Sequence, residues 1–301
     1  MDLFSISQLS QFSGIKPHTI RMWEQRYGAL HPNRSKGNTR YYDGNQLRRL
    51  LNIVSLLEYD HRISELGPLR DDELRALLDE YGKEKKSSPA EYFISQLIAA
   101  GLEYDESAFD KIFSHCIVRF GLRNSYTRVI YPTLERVGLL WANDKLLPAN
   151  EHFISNIIRQ KLFTSIDSLV PAKENSCTWL LFLPENEFHE IGLLMANYLI
   201  RLSGDKTVYL GGNVPLPSLQ KAVQSTQSNK LLLFLVHQDL PENIQNYIDT
   251  LSEIFPGHEI YLAGQNSLLH QVQAQANIKK LFSVDNLEKQ LNVLHEAAQN
   301  S

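Results

Sequence analysis

The spacing of apolar residues changes near Pro171, and this change limits most strongly how the chain folds. From Ala90 to about Val170, apolar residues recur at helical intervals throughout, as in a four-helix bundle. After Pro171, short apolar runs alternate with amphipathic helices, which is typical of a doubly wound parallel sheet. We therefore predict at least two domains of different fold class.

The predicted sheet has five short strands separated by helices. The apolar runs are Trp179–Leu183, Val208–Leu210, Leu231–Val236, Ile260–Ala263 and Leu281–Val284, and the helices begin near His189, Pro215, Pro241, Ser267 and Asn286. In such sheets, ligands bind outside the carboxyl ends of the strands. The loops Pro184–Phe188 and Gly211–Pro215 are therefore the expected binding region.

The amino end reads as two short helices with a tight turn between them. Ser5 and Gln8 have the spacing of a capping box, and Gly14 suits a helix end in the left-handed conformation. A second helix is expected from Pro17 to Gly28. This pattern predicts a helix-turn-helix, followed by a β-loop that returns as a wing and by a third helix over Gly44–Tyr59.

A polar stretch ending at Pro89 separates this head from the bundle. Charged and proline-containing segments of this kind are typical of exposed linkers. The predicted domains are a winged helix-turn-helix over residues 1–75, a linker over 76–89, a four-helix bundle over 90–172 and an α/β domain over 173–301.

Composition excludes several classes of protein. The 301 residues include 43% hydrophobic and 21% charged residues, as in ordinary globular domains. Two cysteines do not suffice for a disulfide framework or a four-thiolate zinc site. The longest apolar run, Leu231–Val236, is far too short to span a membrane, and the first residues do not read as a signal peptide, so we expect a cytoplasmic protein with no membrane partner.

Basic residues are concentrated at the amino end. Residues 1–50 contain eight Lys or Arg residues against three acidic ones, although the whole chain has a formal net charge of −4. A basic end on an acidic chain favours a polyanionic partner. The alternative is a small helical domain with a solvated basic rim.

The sequences Ser5–Leu9, His18–Gly28 and Gly37–Tyr41 resemble the MerR family of winged helix-turn-helix regulators, over about residues 2–70. The resemblance implies that a homo-oligomer, a dimer or tetramer, binds a double-stranded DNA operator. We assign oligomerisation to the carboxyl half of the chain. A recognition helix presents its first side chains to base edges while its neighbours hold phosphates. The residues predicted to contact DNA are Lys16, His18, Thr19, Arg21, Arg26, Arg34, Lys36, Arg40 and Tyr41.

A second motif follows the first predicted strand of the sheet. Glu187, His189 and Gly192 form Glu-x-His-x-x-Gly, and a carboxylate at this spacing can fix the tautomer of a metal-ligating histidine. The bland alternative is a polar loop residue. The motif resembles the Asp-x-His-x-x-Gly signature of cobalamin-binding domains with a flavodoxin-like fold. That resemblance implies that His189 is the lower axial ligand of cobalt and that Gly192 lets the displaced benzimidazole tail approach.

A third motif lies in the predicted bundle, where Trp141, Glu151 and His152 are spaced as Trp-x9-Glu-His. Read structurally, Trp141 is a core residue and Glu151–His152 an exposed helix start. The spacing also resembles the cobalamin-dependent photoreceptor repressors of the CarH/LitR type, whose bundle covers the upper face of adenosylcobalamin. The resemblance implies that Trp141 packs against the adenosyl group, while Glu151 and His152 contact it with polar atoms.

The chain departs from these families at several positions. Glu187 replaces the usual aspartate, and Ala142 stands where light-sensing members can carry a cobalt-capturing histidine. The third strand ends with Leu235–Gln238 in place of Ser-x-Leu, and Ala263–Gln265 replaces a Gly-Gly pair. The last two changes narrow or alter the expected slot for the tail.

Three functions are compatible with these observations. The first is a DNA-binding regulator, a repressor by analogy, controlled by adenosylcobalamin or methylcobalamin and by light. The second keeps the DNA-binding module but gives the carboxyl half a cobalamin-independent role in dimerisation or in binding another ligand. The third, a corrinoid enzyme, needs a further catalytic domain, so we expect no enzymatic activity.

Overall fold

The computed structural model describes residues 3–34, 40–57, 61–83, 90–141, 147–172, 176–236 and 243–299, with the backbone alone at 79–83, 139–141 and 295–299. The chain divides into two compact units, residues 1–157 and 158–301, and each is described by itself. Within the described ranges, every helix is too short or too polar to cross a membrane.

The first unit begins with the predicted helix-turn-helix. Helix α1 (Ile6–Ser13) starts at the predicted capping box, because the Gln8 amide donates to Ser5 Oγ at 3.3 Å and the Ser5 amide donates to Gln8 Oε1 at 2.5 Å. It ends at Gly14, whose φ of 72° lies in the left-handed region that favours glycine. Helix α2 (Pro17–Tyr27) follows directly after this turn.

A short hairpin and a third helix complete the head. Strand β1 (Asn33–Arg34) pairs antiparallel with β2 (Arg40–Tyr41), as expected for a wing. Residues 35–39, which include the predicted DNA contact Lys36, lie outside the described part of the chain. Helix α3 (Gly44–Leu57) buries an apolar face against the head, and residues 58 and 59 of the longer helix expected there are outside the description.

Further helices follow in the first unit: α4 (Ile63–Leu66), α5 (Asp71–Lys83), α6 (Ala90–Leu102), α7 (Glu106–Ser125), a π-helical turn (Tyr126–Ile130), α8 (Tyr131–Trp141) and the first part of α9 (Pro148–Asp167). Within α7, Gly121 has a non-helical φ of 72° and marks a kink between two helical segments. Helices α1 and α3 pack on α8 and α6, so head and bundle helices share one compact unit.

The second unit is built on a parallel five-stranded sheet: β3 (Thr178–Pro184), β4 (Lys206–Val214), β5 (Lys230–Leu235), β6 (Glu259–Gly264) and β7 (Ile278–Leu281). The strand order is β4-β3-β5-β6-β7. The expected position of the fifth strand, Leu281–Val284, is wrong, because the strand ends at Leu281 and Val284 already starts the last helix. The helices are α10 (Glu190–Leu202), α11 (Leu216–Thr226), α12 (Ile244–Ile254), α13 (Asn266–Gln271) and α14 (Val284–Gln299).

This strand order creates a switch point between β3 and β5. The connection from β3 leads to β4 on one side of β3, and the next connection leads from β4 to β5 on the other side. The carboxyl ends of β3 and β5 therefore border a crevice of the kind where such folds bind ligands. The flavodoxin-like class predicted for this half is confirmed. Glu187 and His189 follow β3 directly and therefore lie at this crevice.

Candidate functional site

Helix α2 presents a polar face away from the protein core. Its apolar face buries Ile20 and Trp23. The opposite face carries exposed predicted DNA contacts: Lys16 at the helix start, His18, Arg21 and Arg26, with Thr19 half-buried. Lys16, Arg21 and Arg26, together with exposed Arg34 on β1, give the head exposed cations suited to phosphates and base edges.

Glu24 ties the wing to α2. Its carboxylate accepts from Arg40 Nε at 3.0 Å and from the Tyr42 hydroxyl at 3.1 Å. Burial and the nearby Glu24 carboxylate raise the pKa of Tyr42, which stays a neutral donor. The predicted contacts Arg40 and Tyr41 are half-buried at this hinge. Sequence reasoning overlooked Glu24, although an acidic residue inside a basic helix was a usable signal.

Not all of the basic excess faces solvent. Arg49 is buried and donates to the carbonyls of Ala29, Gly67 and Leu69 at 2.7–2.8 Å and to Asp71 Oδ1 at 2.7 Å. It therefore satisfies backbone carbonyls inside the head and cannot reach DNA from there. Arg48, its neighbour, pairs with Glu103 of the bundle region.

The Trp-x9-Glu-His motif lies in the first unit. Trp141 is the last residue of α8, and its side chain lies outside the description, as do residues 142–146 with Ala142. Glu151 and His152 are in the first turn of α9, where His152 Nδ1 lies 2.8 Å from Glu151 Oε2. The His152 side chain is 70% exposed, so it presents a polar group to solvent at this helix start.

Asn150, which the sequence did not single out, fixes the position of this helix start. It is buried, and its Nδ2 lies 3.3 Å from the carbonyl oxygens of both Gly101 and Leu102 at the end of α6. These are carbonyls without helical partners, so Asn150 caps α6 while anchoring α9. A capping asparagine with partners about fifty residues away leaves no local sequence signal.

Glu187 occupies the switch point of the sheet. Its side chain is only 2% exposed. Oε1 accepts from the amides of Phe188 and His189 at 2.9 and 3.0 Å, and Oε2 accepts from the Val236 amide at 3.1 Å. One carboxylate therefore joins the loop after β3 to the residue that follows β5, and three backbone donors compensate for its burial.

The same carboxylate orients His189. The His189 Nδ1 atom lies 2.6 Å from Glu187 Oε1. If the carboxylate is ionised and the ring neutral, Nδ1 is the donor in this contact, and Nε2 is then the ring nitrogen with a lone pair suited to a metal. The His189 side chain is 47% exposed. These features fit the axial ligand of a cobalt-containing cofactor, the role that the motif implies.

Glu190 contacts the carboxyl-terminal part of β4, which continues to Val214 where the sequence predicted a loop over Gly211–Pro215. Its carboxylate accepts from the Gly212 amide at 3.1 Å and from Arg159 Nη1 at 3.3 Å. Gly211 has a φ of 76°, and a methyl group there would lie 2.7 Å from Glu190 Oε1, so glycine is required. Burial, followed by the charge of Glu190, raises the pKa of Tyr209 beside it. Glu190 belongs to no motif recognised in the sequence, although it directly follows the motif histidine.

Gly192 lies in the first turn of α10, against an aromatic ring. A methyl group at this position would lie 2.5 Å from Cε1 and 2.7 Å from Cδ1 of Phe234 on β5. The space beside Gly192 is thus taken by a side chain of the protein itself. The donor set at His189 fits a cobalt ligand, whereas the space expected for the nucleotide tail of cobalamin is filled.

Two family models match the chain. Residues 4–71 match the model described as "MerR HTH family regulatory protein", and residues 93–164 match the model described as "B12 binding domain". The first match covers the winged head. The second covers α6 to α8 and most of α9, which include Glu151 and His152.

Two curated proteins of Myxococcus xanthus are similar over most of their length. The HTH-type transcriptional repressor CarH is 26% identical over 273 residues, which is 89% of this chain and 91% of that protein. The HTH-type transcriptional repressor CarA is 25% identical over 282 residues, which is 93% and 90% of the two chains.

A solved structure supports the fold. The Methanosarcina barkeri monomethylamine corrinoid protein aligns with a TM-score of 0.53 at 13% identity and covers 67% of this chain and 98% of that chain. At this identity the likeness shows the architecture alone, a helical region followed by the parallel sheet. The chain therefore carries a MerR-type helix-turn-helix followed by a B12-binding domain, and it is homologous to the CarH and CarA transcriptional repressors.

Proposed function

We propose that the protein is a cytoplasmic transcriptional repressor whose affinity for its operator depends on bound adenosylcobalamin and on light, through a change of oligomeric state. The observation that carries the proposal is the Glu187–His189 pair. A buried carboxylate at the switch point holds Nδ1 of a half-exposed histidine at 2.6 Å. Such a built arrangement is unnecessary for a polar loop residue, but it is what a metal-ligating imidazole requires.

The head supplies the contacts to DNA. Arg21 and His18 on the exposed face of α2 would reach base edges in the major groove, and Lys16, Arg26 and Arg34 would hold phosphates. Glu24 keeps the wing at a fixed angle to α2 through Arg40. The operator would be a two-fold symmetric duplex bound by a dimer or tetramer of this chain.

The carboxyl half would hold the cofactor. His189 would ligate cobalt through Nε2, with Glu187 orienting the ring through Nδ1. Trp141, Glu151 and His152 are the other residues proposed to contact adenosylcobalamin, and methylcobalamin is the alternative occupant. When bound, adenosylcobalamin supplies a cobalt–carbon bond that light breaks.

Helix α8 offers a route from the cofactor residues to the head. It ends at Trp141, and Arg136 on the same helix reaches the Phe12 carbonyl of α1 at 3.4 Å. A change at the end of α8 would thus be felt where α1 ends. A ligand shifts such an equilibrium only by its differential affinity for the two arrangements, so the head must be held differently in the two states.

The proposal is tested with the purified full-length chain and adenosylcobalamin in the dark. After excess ligand is washed away, we expect retained corrinoid absorption that changes on illumination, with a shift in elution on size exclusion and a loss of operator binding. Retention without any light response would restrict the proposal to a light-independent cobalamin regulator.

Two histidine variants distinguish loss of the proposed cobalt ligand from the effect of removing any histidine of this unit. His189→Ala removes only the ligand side chain, because the backbone donors to Glu187 remain, so we expect corrinoid retention to fall while the fold is kept. His270→Ala is the control, since His270 is exposed on α13 and stacks on Phe282. Equal retention by the two variants would remove His189 from its proposed role.

A second candidate function is that the α/β unit works without a corrinoid, in dimerisation or in binding another ligand. The contact between Phe234 and Gly192 favours it, because the ring fills space expected for part of the cofactor. In that case the wild-type chain would retain no corrinoid, in the dark or in light, and operator binding would be independent of cobalamin.

A further inference from the structure

Phe234 is placed unlike its neighbours on β5. Leu231, Leu233 and Leu235 point into the core cluster on one face of the sheet. Phe234 points to the other face, toward α10, and is only half-buried whereas those leucines are fully buried. The ring is therefore partly accessible to solvent and lies near the carboxyl end of β5, two residues before the Val236 amide that donates to Glu187.

Contact with Gly192 defines where the ring lies. Three ring atoms, Cε1, Cδ1 and Cζ, would lie 2.5, 2.7 and 3.3 Å from a methyl group at residue 192. Gly192 is three residues after His189, on the first turn of α10. The ring thus lies against α10 three residues after the proposed cobalt ligand.

Cobalamin places a specific demand on this space. In cobalamin, a nucleotide arm is covalently attached to the corrin ring, and its benzimidazole can occupy the lower axial position of cobalt. If His189 takes that position, the displaced arm needs room within reach of its attachment. An aromatic base and the Phe234 ring cannot fill the same volume in a closely packed region.

We propose that Phe234 is a specificity-determining residue that closes the space beside Gly192 to the nucleotide arm, so that the site takes corrinoids with a short or absent lower arm in preference to cobalamin. The inference rests on the proposed function, since it assumes that His189 ligates a corrinoid. It adds to that function an order of affinity, in which the cobinamide class binds more tightly than cobalamin.

The test compares adenosylcobinamide, which lacks the nucleotide arm, with adenosylcobalamin in equilibrium dialysis against the full-length chain in the dark. We expect the wild-type protein to bind adenosylcobinamide at least about tenfold more tightly, the scale of discrimination that a filled pocket gives. Equal or tighter binding of adenosylcobalamin by the wild-type chain overturns the inference and needs no variant.

Adenosylcobinamide differs from adenosylcobalamin in a second way, because it also lacks the internal base that competes with His189 for cobalt. Substitution of Phe234 separates the effect of the ring from that difference. Phe234→Ala and Phe234→Ser should bring the two affinities to within about threefold, mainly by strengthening adenosylcobalamin binding. Phe282→Ala is the control, since Phe282 is an exposed aromatic residue of the same unit that stacks on His270. Thermal unfolding without corrinoid checks that each variant is folded.

The possible failures are distinguishable. An affinity ratio unchanged in both folded Phe234 variants overturns the role of Phe234 and leaves the proposed function standing. Absence of binding of either corrinoid by the wild type and by both variants overturns the proposed function, and this inference with it. A ratio that moves equally in Phe282→Ala also overturns the assignment.

Discussion

Arg136 and Glu91 form a bidentate ion pair between α8 and α6. Arg136 Nη1 donates to Glu91 Oε1 at 2.6 Å, and Nη2 donates to Oε2 at 2.9 Å. The same guanidinium lies 3.4 Å from the Phe12 carbonyl near the end of α1, where a cation complements the helix dipole. Two helices of the bundle and the first helix of the head therefore meet at one side chain.

Arg136→Met should destabilise the protein. It removes two charge-assisted hydrogen bonds from a largely buried pair, which costs about 1–3 kcal/mol of the free energy of unfolding. Arg70→Met is the control, because Arg70 is 71% exposed and pairs with Asp72 in solvent, where a pair contributes about 0–1 kcal/mol. Urea unfolding measures the loss of stability in both variants. Equal losses would show that the Arg136–Glu91 pair contributes no more to stability than an exposed ion pair.

Arg49→Met should be more damaging than any substitution on the exposed face of α2. The change leaves three backbone carbonyls without their donor and Asp71 without its partner. We expect a loss of about 3 kcal/mol or more in the free energy of unfolding. Any loss of DNA binding should then follow unfolding, and disappear in conditions where the variant is folded. Weakened DNA binding by a fully stable variant would contradict this interpretation.

Arg21→Ala should behave in the opposite way. Arg21 is exposed on α2, so its removal should change stability by less than about 0.5 kcal/mol. Because we expect Arg21 to read a base edge, the variant should bind the operator about tenfold or more weakly, with less effect on unrelated DNA. Fluorescence anisotropy with both duplexes at several salt concentrations measures this. A uniform weakening on both duplexes would identify a phosphate contact instead.

Local signals made the head and most strands of the sheet predictable. The capping box at Ser5 and the left-handed Gly14 act within one turn, and the apolar runs of the strands reflect burial on both faces. Glu187 and His189 were found because their contact spans only two residues. In each case cause and effect are close in sequence.

The remaining features depend on distant partners. Arg49 is one of the eight basic residues of the amino end, but hydrogen bonds to carbonyls about twenty residues away hold it inside the head. The Val236 amide that completes the Glu187 site is 49 residues from it. The ring of Phe234 meets Gly192 only because β5 lies beside β3. Such contacts are set by strand order, which one sequence pattern does not specify.

Acid should weaken the second unit through Glu259. Its burial raises the pKa, but hydrogen bonds and charge from Lys230 and Lys279 outweigh this and lower the pKa from 4.5 to about 2. A carboxyl group whose pKa is lowered by folding stabilises the fold at pH values above its pKa in the unfolded chain. This contribution is lost as the pH falls from 4.5 towards 2.

Glu259→Gln should therefore be less stable than the wild type near neutral pH, and the difference should shrink in acid. Because Glu259 is 36% exposed, we expect only about 1 kcal/mol at about pH 7, falling towards zero by about pH 2–3. Thermal unfolding at several pH values measures it. A difference that is constant with pH would mean that the ion pairs contribute little.

Glu187→Gln and His189→Ala should separate folding from ligand binding. A glutamine at 187 keeps one acceptor oxygen and turns an amide group toward backbone donors, at a site where Phe188, His189 and Val236 all donate to the carboxylate. We expect Glu187→Gln to lose about 1–3 kcal/mol of the free energy of unfolding even without any corrinoid, because a buried donor is left unsatisfied.

His189→Ala leaves these backbone bonds in place and should change stability far less, while abolishing ligation of the corrinoid. Urea unfolding of the ligand-free variants measures the first effect and dialysis against adenosylcobinamide the second. A stable Glu187→Gln that binds corrinoid normally would show that the carboxylate does not position His189.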